Sequence, residues 1–324
     1  MRPALRRLLF APIVLLGCLG AAECGARVLL REAATVSVPE DMVRAHLGGG
    51  ADIVYDPLLG WRRKVVPNPS FGIDSHGFRH AEVAVAKAPG ALRGFALGDS
   101  QTFGAGLDAD DAYAAVTERL LRADGLDVEV INAGLSGYRS IQALRLMQGQ
   151  LAVFEPDFVV IDCQGQDSPH DALPPQGAGW RDAAQRGLFE SRLYRATRLG
   201  VEQGAARLGG MEKRNLALPE FSLPSPFPAA PMPGNHDLIQ AWADSHQIKV
   251  FFLDYPFGED HVRALVGAED LPSGAHLVAT ASALERTGQR VDELFLDNNH
   301  LSARGSEVVA GELAAAIGAW AGGR

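Results

Sequence analysis

From residue 93 onward the sequence repeats one alternation: a short apolar run, a turn, then a longer stretch with apolar residues at helical spacing. The apolar runs fall at residues 94–97, 128–131, 158–163, 249–253 and 293–296, and the helical patterns at 111–124, 140–154, 237–245, 275–286 and 303–320. Runs without polar alternation are the mark of strands covered on both faces, as in a parallel sheet flanked by helices. The predicted fold is therefore α/β: a doubly wound, flavodoxin-like, mostly parallel five-stranded sheet with helices on both faces.

The chain before this region is different in kind. Arg2, Arg6 and Arg7 precede an apolar run over residues 8–22. Positive flank followed by apolar run is how a secretory signal or an N-terminal anchor begins. Fifteen residues fall short of the ~20 a spanning helix needs. The run continues past Glu23 and Arg27 to Leu30, so a tilted helix can still cross a bilayer. Cys18 in "LLGC" is similar to a bacterial lipoprotein box, except for the leucine before its glycine. An uncleaved anchor ranks first and lipidation second, and either places the remainder outside the cytoplasm in the cell envelope.

The expected organisation is an anchor at 1–30, a connector with a turn-rich arm at 31–92, and one globular domain at 93–324. The arm is "YDPLLGWRRKVVPNPSFGIDSHGFRH", residues 55–80, whose prolines, glycines and aromatics oppose a long helix. The globular domain is interrupted at about 168–235, with a helix predicted near 188–208 followed by the proline-rich "LPEFSLPSPFPAAPMPG". A loop of that length in a compact domain is usually a lid, a binding element or a flexible insertion.

Composition removes several classes of function. A formal net charge of -9 opposes a nucleic-acid surface, which needs clustered Lys and Arg. Three cysteines make no disulfide framework, and Cys163, closing an apolar run, reads as a packed core thiol. The His-Glu-x-x-His zinc signature is absent, and no metal or cofactor is implied.

Ligands of open parallel sheets bind outside the carboxyl ends of the strands. Gly98-Asp99-Ser100 follows the first strand, "NAGLSGY" (132–138) the second, "QGQD" (164–167) the third, and "DNNHLSARG" (297–305) the fifth. Singly, each has a plain explanation: Ser100 as a helix N-cap, Gly134 as a turn glycine, Gln166 as a surface amide, His300 as a loop residue. Together they supply what acyl transfer to serine requires: a hydroxyl, an imidazole, a carboxylate three residues before it, and donors for an oxyanion. Ser302 is the expected cap of the helix after His300. His170, His236, His246, His261 and His276 have no carboxylate at such a spacing and read mostly as surface or loop residues. The Gly-x-Ser-x-Gly elbow of α/β-hydrolases is absent.

With these blocks in order, the sequence resembles the SGNH hydrolases, also called GDSL esterases and lipases, from about Tyr55 to the C-terminus. "GWRRK", "HGFRH" and "FESRLYRATR" are similar to segments of membrane-anchored bacterial members. The resemblance implies Ser100 as nucleophile, His300 as base, Asp297 as orienting acid, and the Ser100 and Gly134 amides as oxyanion donors. The third block departs: where the family has Gly-x-Asn-Asp, this chain has Gln164-Gly165-Gln166-Asp167, which puts the Gln166 amide in the asparagine position. The function implied is an extracytoplasmic serine esterase acting on a small-molecule or glycan ester, an acylated carbohydrate or a lipid. Two alternatives stay open: an O-acyltransferase or deacetylase working on an envelope polysaccharide, and a non-catalytic binding protein on the same fold.

Overall fold

The computed structural model describes residues 3–30, 53–63, 65, 67–163, 179–207 and 232–324. Gln164, Gln166, Asp167, His170 and most of the proline-rich stretch lie outside the described residues. In chain order the elements begin with helix α1 (Pro3–Leu29), strands β1 (Ile53–Asp56), β2 (Gly60–Arg63) and β3 (Leu92–Gly98), and helices α2 (Ser100–Phe103) and α3 (Tyr113–Ala123). Then come β4 (Val128–Asn132), α4 (Ser140–Gln148), β5 (Phe158–Asp162), α5 (Trp180–Glu190), α6 (Arg192–Arg207) and α7 (Met232–Ser245). The chain ends with β6 (Lys249–Leu253), β7 (Pro256–Gly258), β8 (Val262–Ala264), β9 (His276–Val278), α8 (Thr280–Arg286), α9 (Val291–Leu294) and α10 (Ala303–Ala321). They fall into two compact units: α1, β1, β2, α5 and α6 in one, the remaining elements in the other.

The larger unit is built on a five-stranded sheet in the order β4-β3-β5-β6-β9, with every pairing parallel. Its strands are nearly all buried on both faces, as apolar runs without alternation require. Phe251 on β6 meets Trp320 of α10 edge-on at 6.0 Å, whereas its neighbour Phe252 meets His236 of α7 at 5.3 Å. Successive side chains of a strand point to opposite faces, so α10 and α7 cover different sides of the sheet. Gly94 is a glycine because a Cβ there would lie 2.0 Å from the Phe158 ring of the neighbouring strand.

Three elements differ from the sequence reading. The run 293–296 is no strand: α9 occupies Val291–Leu294, where Glu293 accepts from the Arg290 amide at 2.9 Å and closes a helical turn. The fifth strand is instead β9, inside a stretch whose spacing predicts helix from 275. Asp254 explains the delay, because its carboxylate accepts from the Thr280 amide (3.0 Å) and the Ala281 amide (3.1 Å) and fixes the start of α8 there. The predicted helix near 188–208 is two helices. Ser191 breaks it, its hydroxyl accepting from the Tyr194 amide at 3.1 Å as the N-cap of α6.

In the smaller unit, residues Ala11–Leu29 of α1 have a mean hydropathy of 1.5 and only 6% of them are buried, a stretch long and apolar enough to cross a membrane. Glu23 within it accepts hydrogen bonds from the Ser191 hydroxyl (2.7 Å) and the Arg192 and Leu193 amides (both 2.9 Å). The Arg192 guanidinium donates in return to the Arg27 and Leu30 carbonyls at 2.8 and 2.9 Å.

Candidate active site

β3 ends at Gly98, where a Cβ would lie 2.0 Å from Thr102 Oγ1 and 2.2 Å from the Asp162 carbonyl; only glycine lets the chain turn there. The N-cap of α2 is Asp99, not Ser100. Its Oδ1 accepts from the Gln101 amide at 2.8 Å, which corrects the capping role considered for the serine. A carboxylate is a stronger acceptor than a hydroxyl for orphan helical amides. Asp99 Oδ2 also accepts from the Tyr255 hydroxyl at 2.7 Å.

With capping done by its neighbour, the Ser100 hydroxyl is released for another partner. His300 Nε2 lies 2.8 Å from Ser100 Oγ, and His300 Nδ1 lies 2.7 Å from Asp297 Oδ2. Because the carboxylate can only accept, Nδ1 carries the proton and the Nε2 lone pair faces the serine. Asp297 Oδ1 accepts from the Asn299 and His300 amides (3.0 and 2.9 Å), so the same side chain shapes the turn and aims the ring. Burial raises the Asp297 carboxyl, but the hydrogen bonds from the His300 ring and these two amides outweigh it and hold the group below its ordinary range. The Leu296 amide donates to the His300 carbonyl at 2.7 Å and closes the loop at its base. Ser302 caps α10 as its spacing predicts, accepting from the Gly305 amide at 3.1 Å.

The loop after β4 lies against α2. The Leu135 amide donates to the Gly98 carbonyl (3.0 Å), and Asn132 Nδ2 donates to the Thr102 carbonyl (2.7 Å). A Cβ on Gly134 would meet the Phe103 amide nitrogen at 2.6 Å, so this loop packs backbone to backbone with the serine helix. The Gly134 amide donates to Asn132 Oδ1 at 3.0 Å. Three residues on, Gly137 takes φ 77° at the third position of a turn closed by the Tyr138 amide on the Leu135 carbonyl (2.9 Å). Its own N–H makes no hydrogen bond among the described residues.

Sequence reasoning passed over four groups around this centre. Gln101, 3% exposed, donates from Nε2 to the Pro256 carbonyl (3.0 Å) and the Asn299 carbonyl (2.7 Å), joining the serine turn to the histidine loop. Arg79, from "HGFRH" in the arm, donates to the Phe103, Gly104 and Leu107 carbonyls at the end of α2. Tyr255 holds Asp99, as above. Asp162 is fully buried, accepts from Thr102 Oγ1 at 3.1 Å, and is pushed up to about 8 by burial and then by the nearby Asp99 charge. No periodicity signals such partners, since each contact spans loops distant in sequence. Cys163 is buried and in no disulfide among the described residues, as expected of a core thiol. His236 corrects its surface reading: it is fully buried on α7, its Nδ1 3.2 Å from the Asp270 carbonyl.

A depression of about 740 Å³ borders the outer side of Asp297 between Glu259, His261 and Arg290. Ser100 and His300 do not line it, so it is no acyl pocket. Among the described residues no group of three His, Cys, Asp or Glu side chains is placed to hold a metal ion.

Against known proteins, residues 96–308 match the model of the GDSL-like Lipase/Acylhydrolase family. The chain is 34% identical over 80 residues to Esterase TesA of Pseudomonas aeruginosa; the match spans 25% of this chain and 40% of that protein. Among solved structures it is similar to the psychrotrophic esterase EstA from Pseudoalteromonas sp. (16% identity, TM-score 0.43, 71% of this chain and 98% of that one). It is also similar to the lipase/acylhydrolase from Enterococcus faecalis (18% identity, TM-score 0.41, 70% and 95%).

Proposed function

The chain belongs to the GDSL-like lipase/acylhydrolase family, and on that premise we propose that it is a serine esterase cleaving a carboxylic ester with Ser100, His300 and Asp297. The observation that carries this reading is the 2.8 Å contact from His300 Nε2 to Ser100 Oγ, with the ring held from behind by Asp297. His300 takes the hydroxyl proton as Ser100 attacks the acyl carbon. The tetrahedral intermediate collapses as the imidazolium gives that proton to the departing alcohol, leaving an acyl-serine. Water then gives a proton to His300 and attacks the acyl-serine, and the acid departs with Ser100 restored.

Three donors are assigned to the oxyanion: the Ser100 amide, an amide of the 132–138 loop, and the Gln166 side chain. The sequence points to Gly134 for the second. Its hydrogen already serves Asn132, which leaves the Gly137 N–H, unbonded among the described residues, as the alternative. Each donor of this type is worth roughly 10²–10³ in turnover.

The substrate class is an acylated carbohydrate or lipid of the cell envelope. That reading rests on the apolar stretch Ala11–Leu29 behind Arg2, Arg6 and Arg7, the charge arrangement that leaves the positive end in the cytoplasm. Residues 1–30 then serve as anchor, 31–92 as connector and arm, and 93–324 as the hydrolase domain with its insertion at about 168–235.

The test is direct. Wild-type protein is expected to hydrolyse p-nitrophenyl acetate and to be labelled by a fluorophosphonate, and Ser100→Ala to do neither. Equal turnover by Ser100→Ala sinks the assignment. A folded wild type that takes up no fluorophosphonate favours the non-catalytic reading.

A further inference from the structure

We infer that α1 is retained in the mature protein, and that its outer end is a docking post holding the helix pair α5–α6 at the membrane–water boundary, against lipid headgroups. This rests on the anchor reading of α1 given above.

The first argument is the occupancy of Glu23. A carboxylate in an apolar helix is costly at membrane depth unless its oxygens are filled. Here Arg27 Nε (2.7 Å), the Ser191 hydroxyl and the Arg192 and Leu193 amides supply four donors. The two amides belong to the first turn of α6, where backbone N–H groups lack helical acceptors and negative charge is favoured. The exchange runs the other way as well. Arg192 covers the last carbonyls of α1, and Arg27 Nη2 donates to the Glu190 carbonyl at the end of α5 (3.2 Å). Three helix ends are thus closed by one another. Cleavage beyond Arg27 would remove the acceptor of α6 and a donor of α5, which a disposable leader has no reason to provide.

The second argument is depth. Glu23 precedes Leu29, the last residue of α1, by six positions, so at 1.5 Å per residue it sits about 9 Å below the helix end. The apolar run ahead of it, residues 8–22, covers about 22 Å at the same rise. Against a hydrocarbon core of ~30 Å, Glu23 lies within about 8 Å of the outer face, and the end of α1 reaches headgroup level.

The third is the character of α5. Trp180 is 77% exposed and Leu188 51%. With Ala183, Ala184 and Gly187, also exposed, they make an uncharged stripe along one side of the helix. Arg181 flanks that stripe and sits over the Trp180 ring at 5.4 Å. An exposed Trp beside Arg on a helix whose other end is tied to a spanning segment fits the headgroup zone, where aromatic and basic side chains settle.

The experiment uses the full chain in vesicles of phosphatidylethanolamine and phosphatidylglycerol, some carrying brominated acyl chains. Intact mass is expected to include residues 1–30, and bromine is expected to quench Trp180, read as the difference between wild type and Trp180→Phe. In Glu23→Ala that quenching is lost. Should this variant fail to accumulate, Arg192→Ala, which keeps the amides but uncaps α1, lowers it in the same sense. A mature mass that begins after residue 17 overturns retention. A complete chain that washes from the membrane at high pH overturns the anchor reading itself. A complete, membrane-bound chain with unquenched Trp180 overturns the docking alone.

Discussion

Replacing Gln101 by Leu separates the stability of this fold from the alignment of its active site. Leucine has roughly the volume of glutamine, branching one carbon earlier, but loses the donor that bridges the Pro256 and Asn299 carbonyls. The buried Pro256 carbonyl is left without that donor, at about 1–3 kcal/mol, and the partly buried Asn299 bond is worth about 1 kcal/mol. Against this, Gln101 Oε1 is itself buried with no hydrogen-bond partner among the described residues, and removing it returns about 1–3 kcal/mol. The stability change is therefore small, about 1 kcal/mol, which for a domain of this size is a fall in Tm of about 2–4 °C. The active site has no such offset. Asn299 is bonded through its carbonyl immediately before His300, and a displacement of about 1 Å in a catalytic group costs about 10²-fold. Steady-state hydrolysis of p-nitrophenyl acetate is expected to show kcat reduced on that order with KM little changed. Gln101→Glu should be worse still, because an isosteric carboxylate faces the same two carbonyl oxygens with nothing to donate. Wild-type kcat in a folded Gln101→Leu protein refutes the latch, and a collapse of Tm would make the residue structural rather than positioning.

Asp297→Asn retains an oxygen for the Asn299 and His300 amides but turns an amide NH₂ toward His300 Nδ1, forcing the wrong tautomer; kcat is expected to fall about 10⁴-fold with the fold intact, measured by turnover beside circular dichroism. Asp162 is held up at about 8, so the folded state keeps a proton that the unfolded chain releases near its ordinary value of about 3.9. Its contribution to stability is complete below that value and is lost as pH rises through about 8. Asp162→Asn should thus flatten the decline of the urea midpoint with pH over that window, and an unchanged slope would refute the assignment. Gly98→Ala drives a methyl group into Thr102 and the Asp162 carbonyl and is expected to destabilise by about 1–3 kcal/mol or more, read from urea unfolding.

The strands from Leu92 to Leu253 were legible because burial on both faces leaves them few polar positions, and that pattern survives in sequence. The run ending at Leu296 was not, since Leu294 and Phe295 look the same to a periodicity argument whether they pack from a strand or from a short helix. β9 was hidden for a related reason: three residues carry no period, and only Asp254, well upstream, fixes where α8 begins. Ser100, Asp297 and His300 were readable as residues at one sheet edge, and the structure brings them within hydrogen-bonding distance. The groups that hold them, Gln101, Arg79 and Tyr255, were not, because each acts through a backbone carbonyl or a neighbour's carboxylate that sequence spacing does not encode. Gly134 shows the limit from the other side. It is required by the packing of its loop on α2, a close approach that sequence spacing does not encode.

The crossover from β5 to β6 has a further consequence. A right-handed parallel connection needs one helix, and α7 alone, the 14 residues Met232–Ser245, supplies it. Everything between the end of β5 and the start of α7 is surplus to closing the sheet. Beyond residues 164–167, that stretch can therefore be lengthened, shortened or exchanged without re-threading the sheet on which Ser100 and His300 stand, and the fold separates the part that must stay from the part that can diversify.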